Sequence, residues 1–312
     1  MQKENFINFV SERLQDITGC EVKVNPVNKN NGVVLTGLVI MRGDRNIHPT
    51  IYLEDYFEDF QAGRNIESIV VEILRIEKKH QSEVDFDIDC FTDFNRVKDN
   101  LYYKIINYES NSERLKDIPH KVILDFAKVY YVEIINEIIG QGTILVTSEH
   151  MEKWEVTVEE LDTIATRNTE IKLLPSVKEM SEVLNIKLTE MYEDMKEDGE
   201  IPEDATMPDL SNIRYPDMYV VSNKRGYYGA ATLVYTNLLR IISETIDDDL
   251  VIFPSSIHEF IFMPASIVER DYKELKEIVE TVNLTALHQE EFLSNNVYYY
   301  DRQNAKLTIY EG

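Results

Sequence analysis

Apolar residues recur at helical spacing from the start of the chain. Phe6, Phe9, Val10, Leu14 and Ile17 fall along one stripe, and Gly19 follows as a stop signal. The pattern then changes. Cys20 to Val27 alternates, Asn28-Lys29-Asn30-Asn31-Gly32 supplies turn residues, and Val33 to Met41 is apolar, so this stretch predicts a β-hairpin. Ile51 to Leu53 reads as a short strand. Residues 53–61 and 66–80 read as two helices parted by Gly63. Lys121 to Ile139 is rich in Val, Ile and Tyr, which favours strands, and Thr143 to Thr147 resumes the strand pattern after Gly140 and Gly142. Thr157 with Glu160 three residues later is a capping box, in which hydroxyl and carboxylate each satisfy a backbone N–H of the first turn.

Farther along, residues 176–191 read as a helix, Met218 to Ser222 as a strand and Ala230 to Ile246 as an apolar helix with a polar stripe. Leu250 to Phe253 and Phe260 to Met263 read as strands, Asp271 to Val282 as a helix, and Val297 to Tyr300 with Lys306 to Tyr310 as a closing hairpin. Strands come in neighbouring pairs, with helices between the groups. That order predicts an α+β fold of mixed or antiparallel sheets flanked by helices. The polar stretch Tyr108 to Pro119 suggests two subdomains, 1–117 and 118–312. Within the second, residues 192–214 read as an acidic, mobile insertion. Glu193, Asp194, Glu197, Asp198, Glu200, Glu203 and Asp204, interrupted by Gly199 and Pro202, bury little apolar surface.

Composition narrows the function. The chain has 312 residues, 43% of them hydrophobic, which is enough for a substantial core. Asp and Glu number 57 against 32 Lys and Arg, a formal charge of −25. Nucleic acid and anionic membrane surfaces are disfavoured, because both reward the opposite sign. A basic protein is the favoured partner class. Oligomeric state is not readable. Cys20 and Cys90 are too few for a disulfide-stapled secreted domain. The first ten residues lack a basic segment followed by an apolar one, so no signal peptide is expected. Val33 to Met41 is well short of the ~20 apolar residues of a membrane helix. A cytoplasmic, soluble protein is expected.

Several strings are distinctive: Asn30-Asn31-Gly32, Pro49-Thr50-Ile51-Tyr52-Leu53, Gly63, Trp154 through Asn168-Thr169, Met218-Tyr219-Val220, Gly229-Ala230-Ala231, Pro254-Ser255-Ser256-Ile257-His258-Glu259 and Val282-Asn283. Together they resemble the bacterial domain-of-unknown-function family 5688, common in anaerobic gut bacteria. The resemblance covers nearly the whole chain outside the acidic insertion. It implies a bacterial, cytosolic origin and assigns no activity, cofactor or catalytic residue.

Motifs with known chemistry are incomplete. His258-Glu259 opens a zinc-protease pattern, but Phe262 stands where the second histidine belongs. His150-x-Glu152 and His288-x-Glu290 lack the Pro-Cys-x-x-Cys of zinc deaminases. Asp85-x-Asp87-x-Asp89 starts like a calcium loop, yet Cys90 replaces the required glycine and Arg96 the bidentate glutamate, so it reads as an alternating strand with an acidic face. Trp154, just ahead of the capping box, reads as a hydrophobic staple against the helix that follows. Tyr298-Tyr299-Tyr300 reads as a strand with alternate rings buried. No metal or cofactor is expected.

Two clusters remain as candidates. In the Pro254–Glu259 turn, Ser256, His258 and Glu259 offer a nucleophile, a base and an acid, although alternation sends His258 and Glu259 to opposite faces. The competing reading is a turn whose serines satisfy local backbone groups. Lys224-Arg225-Gly226-Tyr227-Tyr228-Gly229 is a basic island between a strand and a helix, and Lys224, Arg225, Gly226 and Gly229 are candidates for holding an anion through cations and helix-start amides. The leading functional reading is a non-enzymatic interaction or regulatory protein. The alternative is a hydrolase that uses the 255–259 turn and the 224–229 loop.

Overall fold

The structure, a computed structural model, describes all residues except 44–47, 81–90, 137–139, 203, 208–216 and 312. The fold is α+β, with antiparallel sheets flanked by helices. The Asp85–Asp89 repeat and Cys90 lie outside the described residues. Contacts divide the chain into two units, Met1–Leu101 with Tyr131–Val156, and Tyr102–Tyr130 with Thr157–Gly312. Among the described residues no helix is long and apolar enough to cross a membrane.

The first unit opens with α1 (Lys3–Thr18), ended by Gly19 in the left-handed region at φ 65°. β1 (Glu21–Asn28) and β2 (Val34–Met41) form the expected hairpin in antiparallel register, and β3 (Ile51–Tyr52) adds to β2. α2 (Glu54–Gln61) and α3 (Ile66–Lys79) follow, the latter capped by the Asn65 side chain. Phe6, Val10 and Leu14 of α1 share one core with Leu38 and Ile40 of β2 and Ile69, Val70 and Ile73 of α3. Phe9 and Ile17, counted in the α1 stripe, stay exposed, so the buried stripe is narrower than the apolar one. Beside this core Glu77 is 1% exposed and takes a bidentate pair from Arg42, at 2.9 and 3.0 Å. The short α4 (Phe94–Val97) comes next in this unit.

The second unit receives β4 (Leu101–Asn107), β5 (His120–Ile123) and the first half of β6 (Phe126–Asn136), whose second half pairs in the first unit with β7 (Gly140–Leu145). α5 (Ser148–Trp154) belongs to the first unit. It has a second capping box, in which Thr147 accepts from the His150 backbone and His150 Nδ1 accepts the Thr147 N–H at 3.0 Å. Trp154 ends α5. Its ring packs on Phe91, Phe94 and His150, and its indole N–H donates to the Phe91 carbonyl.

α6 (Val158–Lys172) starts at the Thr157–Glu160 capping box, as expected. Residues 175–179 depart from expectation. They form an edge strand, β8 (Pro175–Glu179), and helix α7 (Met180–Glu197) starts only after it. Proline suits the first position of an edge strand, where its missing N–H leaves no gap in the ladder. The segment read as an acidic insertion therefore begins inside α7. β9 (Tyr219–Asn223) follows, and the apolar stretch after it is not one helix. A 3-10 turn over Gly229–Val234 is separated from α8 (Leu238–Ile246) by Asn237 in the left-handed region. β10 (Leu250–Pro254), β11 (Phe260–Pro264), α9 (Tyr272–Ala286), β12 (Tyr298–Asp301) and β13 (Lys306–Ile309) complete the chain. Tyr298 and Tyr300 are buried, and Tyr299 stacks on Tyr310.

The sheet that matters most for function runs β13-β12-β10-β11-β9-β8, with every neighbouring pair antiparallel. Leu250, Ile252, Phe260, Phe262, Val221, Tyr298 and Tyr300 bury its one face. The register places Val251 and Phe253, Ile261 and Met263, Val220 and Ser222, and Ser176 and Lys178 on the other. α9 packs on Val251 there through Leu275 and Val279.

Candidate functional site

The two candidate segments meet in the second unit. Gly229 makes this possible. Its α-carbon approaches so closely that a methyl group there would overlap the Ser222 hydroxyl, the His258 carbonyl oxygen and the Asn223 backbone nitrogen. Ser222 Oγ donates to the His258 carbonyl at 2.8 Å, and the Ala230 N–H donates to the Ile257 carbonyl at 3.3 Å. These bonds tie the 224–229 loop to the 255–259 turn. Tyr228, in the left-handed region at φ 54°, closes the loop.

In the turn, Ser256 is 7% exposed and its Oγ accepts the His258 backbone N–H at 2.9 Å. The Ser256 N–H donates to the Glu259 carbonyl. Serine and histidine are thus joined through the backbone rather than through the imidazole. The His258 ring lies parallel to Tyr228 at 5.9 Å and tilted to Tyr227 at 5.3 Å. Its Nδ1 accepts the Tyr228 N–H at 3.2 Å, so the neutral ring carries its proton on Nε2, which stands 3.7 Å from Glu291 Oε1. Burial pushes the imidazole below its ordinary range, against the pull of Glu291 and Glu259 and with the help of Lys104. Lys104 Nζ sits 3.8 Å over the Tyr228 ring.

The backbone of the basic loop is committed too. Lys224 N–H donates to Leu174 O, Arg225 N–H to Asn223 Oδ1 and Gly226 N–H to Asn223 O. These three amides are therefore committed within the fold, which leaves the loop's side chains as the groups to consider for an anion.

Those side chains surround a cleft of about 360 Å³ between α7 and the β8–β9 edge of the sheet. Lys178, Lys187, Lys224 and Arg225 line it with Ser176, Ser222 and Asn223. Glu190 and Glu259 also line it. Lys178 lies 3.6 Å from Glu182. Among the described residues neither Lys187 nor Lys224 has a carboxylate within ion-pair distance. Gly229 and His258 do not line the cleft. Of the candidates, Lys224, Arg225, Gly226 and Glu259 come together there, while Ser256 and His258 stand apart. Lys178 and Lys187 escaped the sequence reading, since only the pairing of β8 with β9 brings them near the loop. No group of three or more His, Cys, Asp or Glu side chains among the described residues could hold a metal ion.

No curated protein and no solved structure matches the sequence. A family model does, over residues 3–302, nearly the whole length, and the chain belongs to the Family of unknown function (DUF5688).

Proposed function

We propose that this is a non-enzymatic binding protein whose second unit holds a small anion in the Lys178–Lys187–Lys224–Arg225 cleft. The observation that carries the reading is the gathering of four cations around one cavity in a chain of formal charge −25. Unpaired ammonium groups in a concave site draw in an anion and hold it by charge-assisted hydrogen bonds. The Ser176 hydroxyl adds a neutral polar group to the same lining. The acidic balance of the remaining surface repels polyanions such as nucleic acid, so the cleft selects small ligands. Catalysis at the turn draws no support from the hydrogen bonding, because Ser256 Oγ is engaged by a backbone N–H and the His258 acceptor nitrogen by another.

The test is thermal unfolding in graded inorganic phosphate at low ionic strength. Binding to the folded state alone stabilises by RT ln(1 + [L]/Kd), about 2.7 kcal/mol at a hundredfold excess over Kd. The wild type should gain stability with phosphate, and Lys187→Ser/Lys224→Ser should gain little. Equal gains in both proteins would reject the assignment.

A further inference from the structure

The cleft has a neighbour of opposite character. A cavity of about 590 Å³ lies along α9, walled by Phe253, Ile261 and Met263 of the sheet and by Leu275, Val279 and Val282 of the helix. Ligand sites of this size are typically apolar with a few polar groups, which here are Ser255, Glu269, Arg270 and Asn283. The register fixes its relation to the cleft. Val220 lines the cleft, Ile261 lines the apolar cavity, and the two are directly paired across β9 and β11. Their side chains stand on the same face of the sheet, at the ~5 Å spacing of cross-strand neighbours. Met218 and Val220 continue the same alternation, the first in the apolar wall and the second in the cationic one. The Pro254–Glu259 turn straddles the boundary, with Ser255 on the apolar side and Glu259 on the cationic side.

We infer that the ligand is an amphipathic anion, with its anionic head on Lys187 and Lys224 and an unbranched aliphatic tail along the Ile261–Met263 wall beneath α9. This rests on the anion-binding reading above and adds the substrate class. A head alone would leave the apolar cavity unused, and an uncharged chain would leave the unpaired ammonium groups unanswered. A ligand with both parts satisfies both walls of one continuous sheet face.

The experiment is isothermal titration of the full chain with acetate, decanoate and decanol. Decanoate carries about eight more methylenes than acetate, so even partial burial of the tail should tighten binding at least tenfold. Val282→Asp changes a residue that is half exposed, so folding should survive. It should cut the decanoate advantage several-fold and leave acetate binding unchanged. Ile261→Asp, at the boundary between the cavities, should remove the advantage altogether. Lys187→Ser/Lys224→Ser should weaken decanoate and acetate alike. If phosphate binds but decanoate binds no tighter than acetate, the tail assignment is overturned while the anion reading stands. If decanol binds as tightly as decanoate and the lysine changes leave both untouched, the apolar cavity works without the cleft and the amphipathic proposal is overturned. If neither phosphate nor any of the three binds, both readings fail.

Discussion

Replacing Gly229 by alanine adds one carbon where the structure has no room for it. The new methyl would stand 2.7 Å from the Asn223 backbone nitrogen and closer still to the His258 carbonyl oxygen and the Ser222 hydroxyl. Two of these three atoms are backbone and cannot swing aside. The φ of Gly229 lies outside the left-handed region, so the cost is steric rather than conformational. Forcing a methylene into such a contact costs about 1–3 kcal/mol. Displacing Ser222 also breaks its 2.8 Å bond to His258, worth roughly 1 kcal/mol, for about 2–4 kcal/mol in all. Gly226→Ala is the contrast. Nothing lies within 4 Å of its added carbon, but φ is +69°, so the expected cost is about 1–2 kcal/mol of backbone strain. Urea unfolding followed by far-UV circular dichroism measures both. Ser222→Ala in the Gly229→Ala background should recover only part of the loss, since the backbone clashes remain. A Gly229→Ala protein within 0.5 kcal/mol of wild type, as ~0.5 is typical of neutral surface changes, would refute the close approach that joins the loop to the turn.

Arg42→Met removes the bidentate partner of the buried Glu77 carboxylate and should cost about 1.5–3 kcal/mol, read as loss of hydrogen-exchange protection in α3. In the second unit Asp162 accepts from Lys121 at 2.7 Å, from Lys128 at 2.6 Å and from the Tyr130 hydroxyl at 3.0 Å. Burial alone would raise its carboxyl, but these partners outweigh burial and hold it below the ordinary range. Asp162→Asn removes the carboxylate partner of the buried Lys128 ammonium and leaves it Thr166 Oγ1 and the Tyr103 ring, and a loss of about 1.5–3 kcal/mol in urea unfolding is expected. The folded state binds a proton at His258 less readily than the unfolded chain, whose imidazole titrates near 6.5. The unfolded state therefore holds more protons just below that value, and the stability His258 contributes is lost as pH falls below about 6.5. His258→Asn retains an acceptor for the Tyr228 N–H and cannot titrate, so its stability should fall less between pH 7 and pH 5 (about one unit either side of an unperturbed imidazole). An unchanged pH slope would contradict this.

Much of the fold is legible in the sequence because local patterns decide it. The 21–41 hairpin has turn residues between two strand-like runs, α1 has a stripe and a terminal glycine, and α6 has its capping box. Expectation failed where tertiary pairing overrides local preference. Ser176–Glu179 reads as the start of a helix until β9 offers it a ladder, and the apolar run after Gly229 reads as one helix until Asn237 turns left-handed. The site was half legible for the same reason. Lys224 and Arg225 stand out as adjacent cations in an acidic chain, whereas Lys178 and Lys187 reach the cleft only through the non-local β8–β9 pair and the helix that leaves it. Alternation along β11 and its preceding turn did foretell that Glu259 and His258 part company, Glu259 to the cleft and His258 to the tyrosine stack.

The central claim is that Lys187 and Lys224 hold an anion. Isothermal titration of inorganic phosphate into the wild type and into Lys187→Ser/Lys224→Ser, each at low and high sodium chloride, addresses it directly. A saturable wild-type isotherm that weakens as salt screens the ammonium groups is expected, with at least a tenfold loss, about 1.4 kcal/mol, in the double variant. A wild type that shows no saturable heat, or a double variant that binds phosphate as tightly as the wild type, would contradict it.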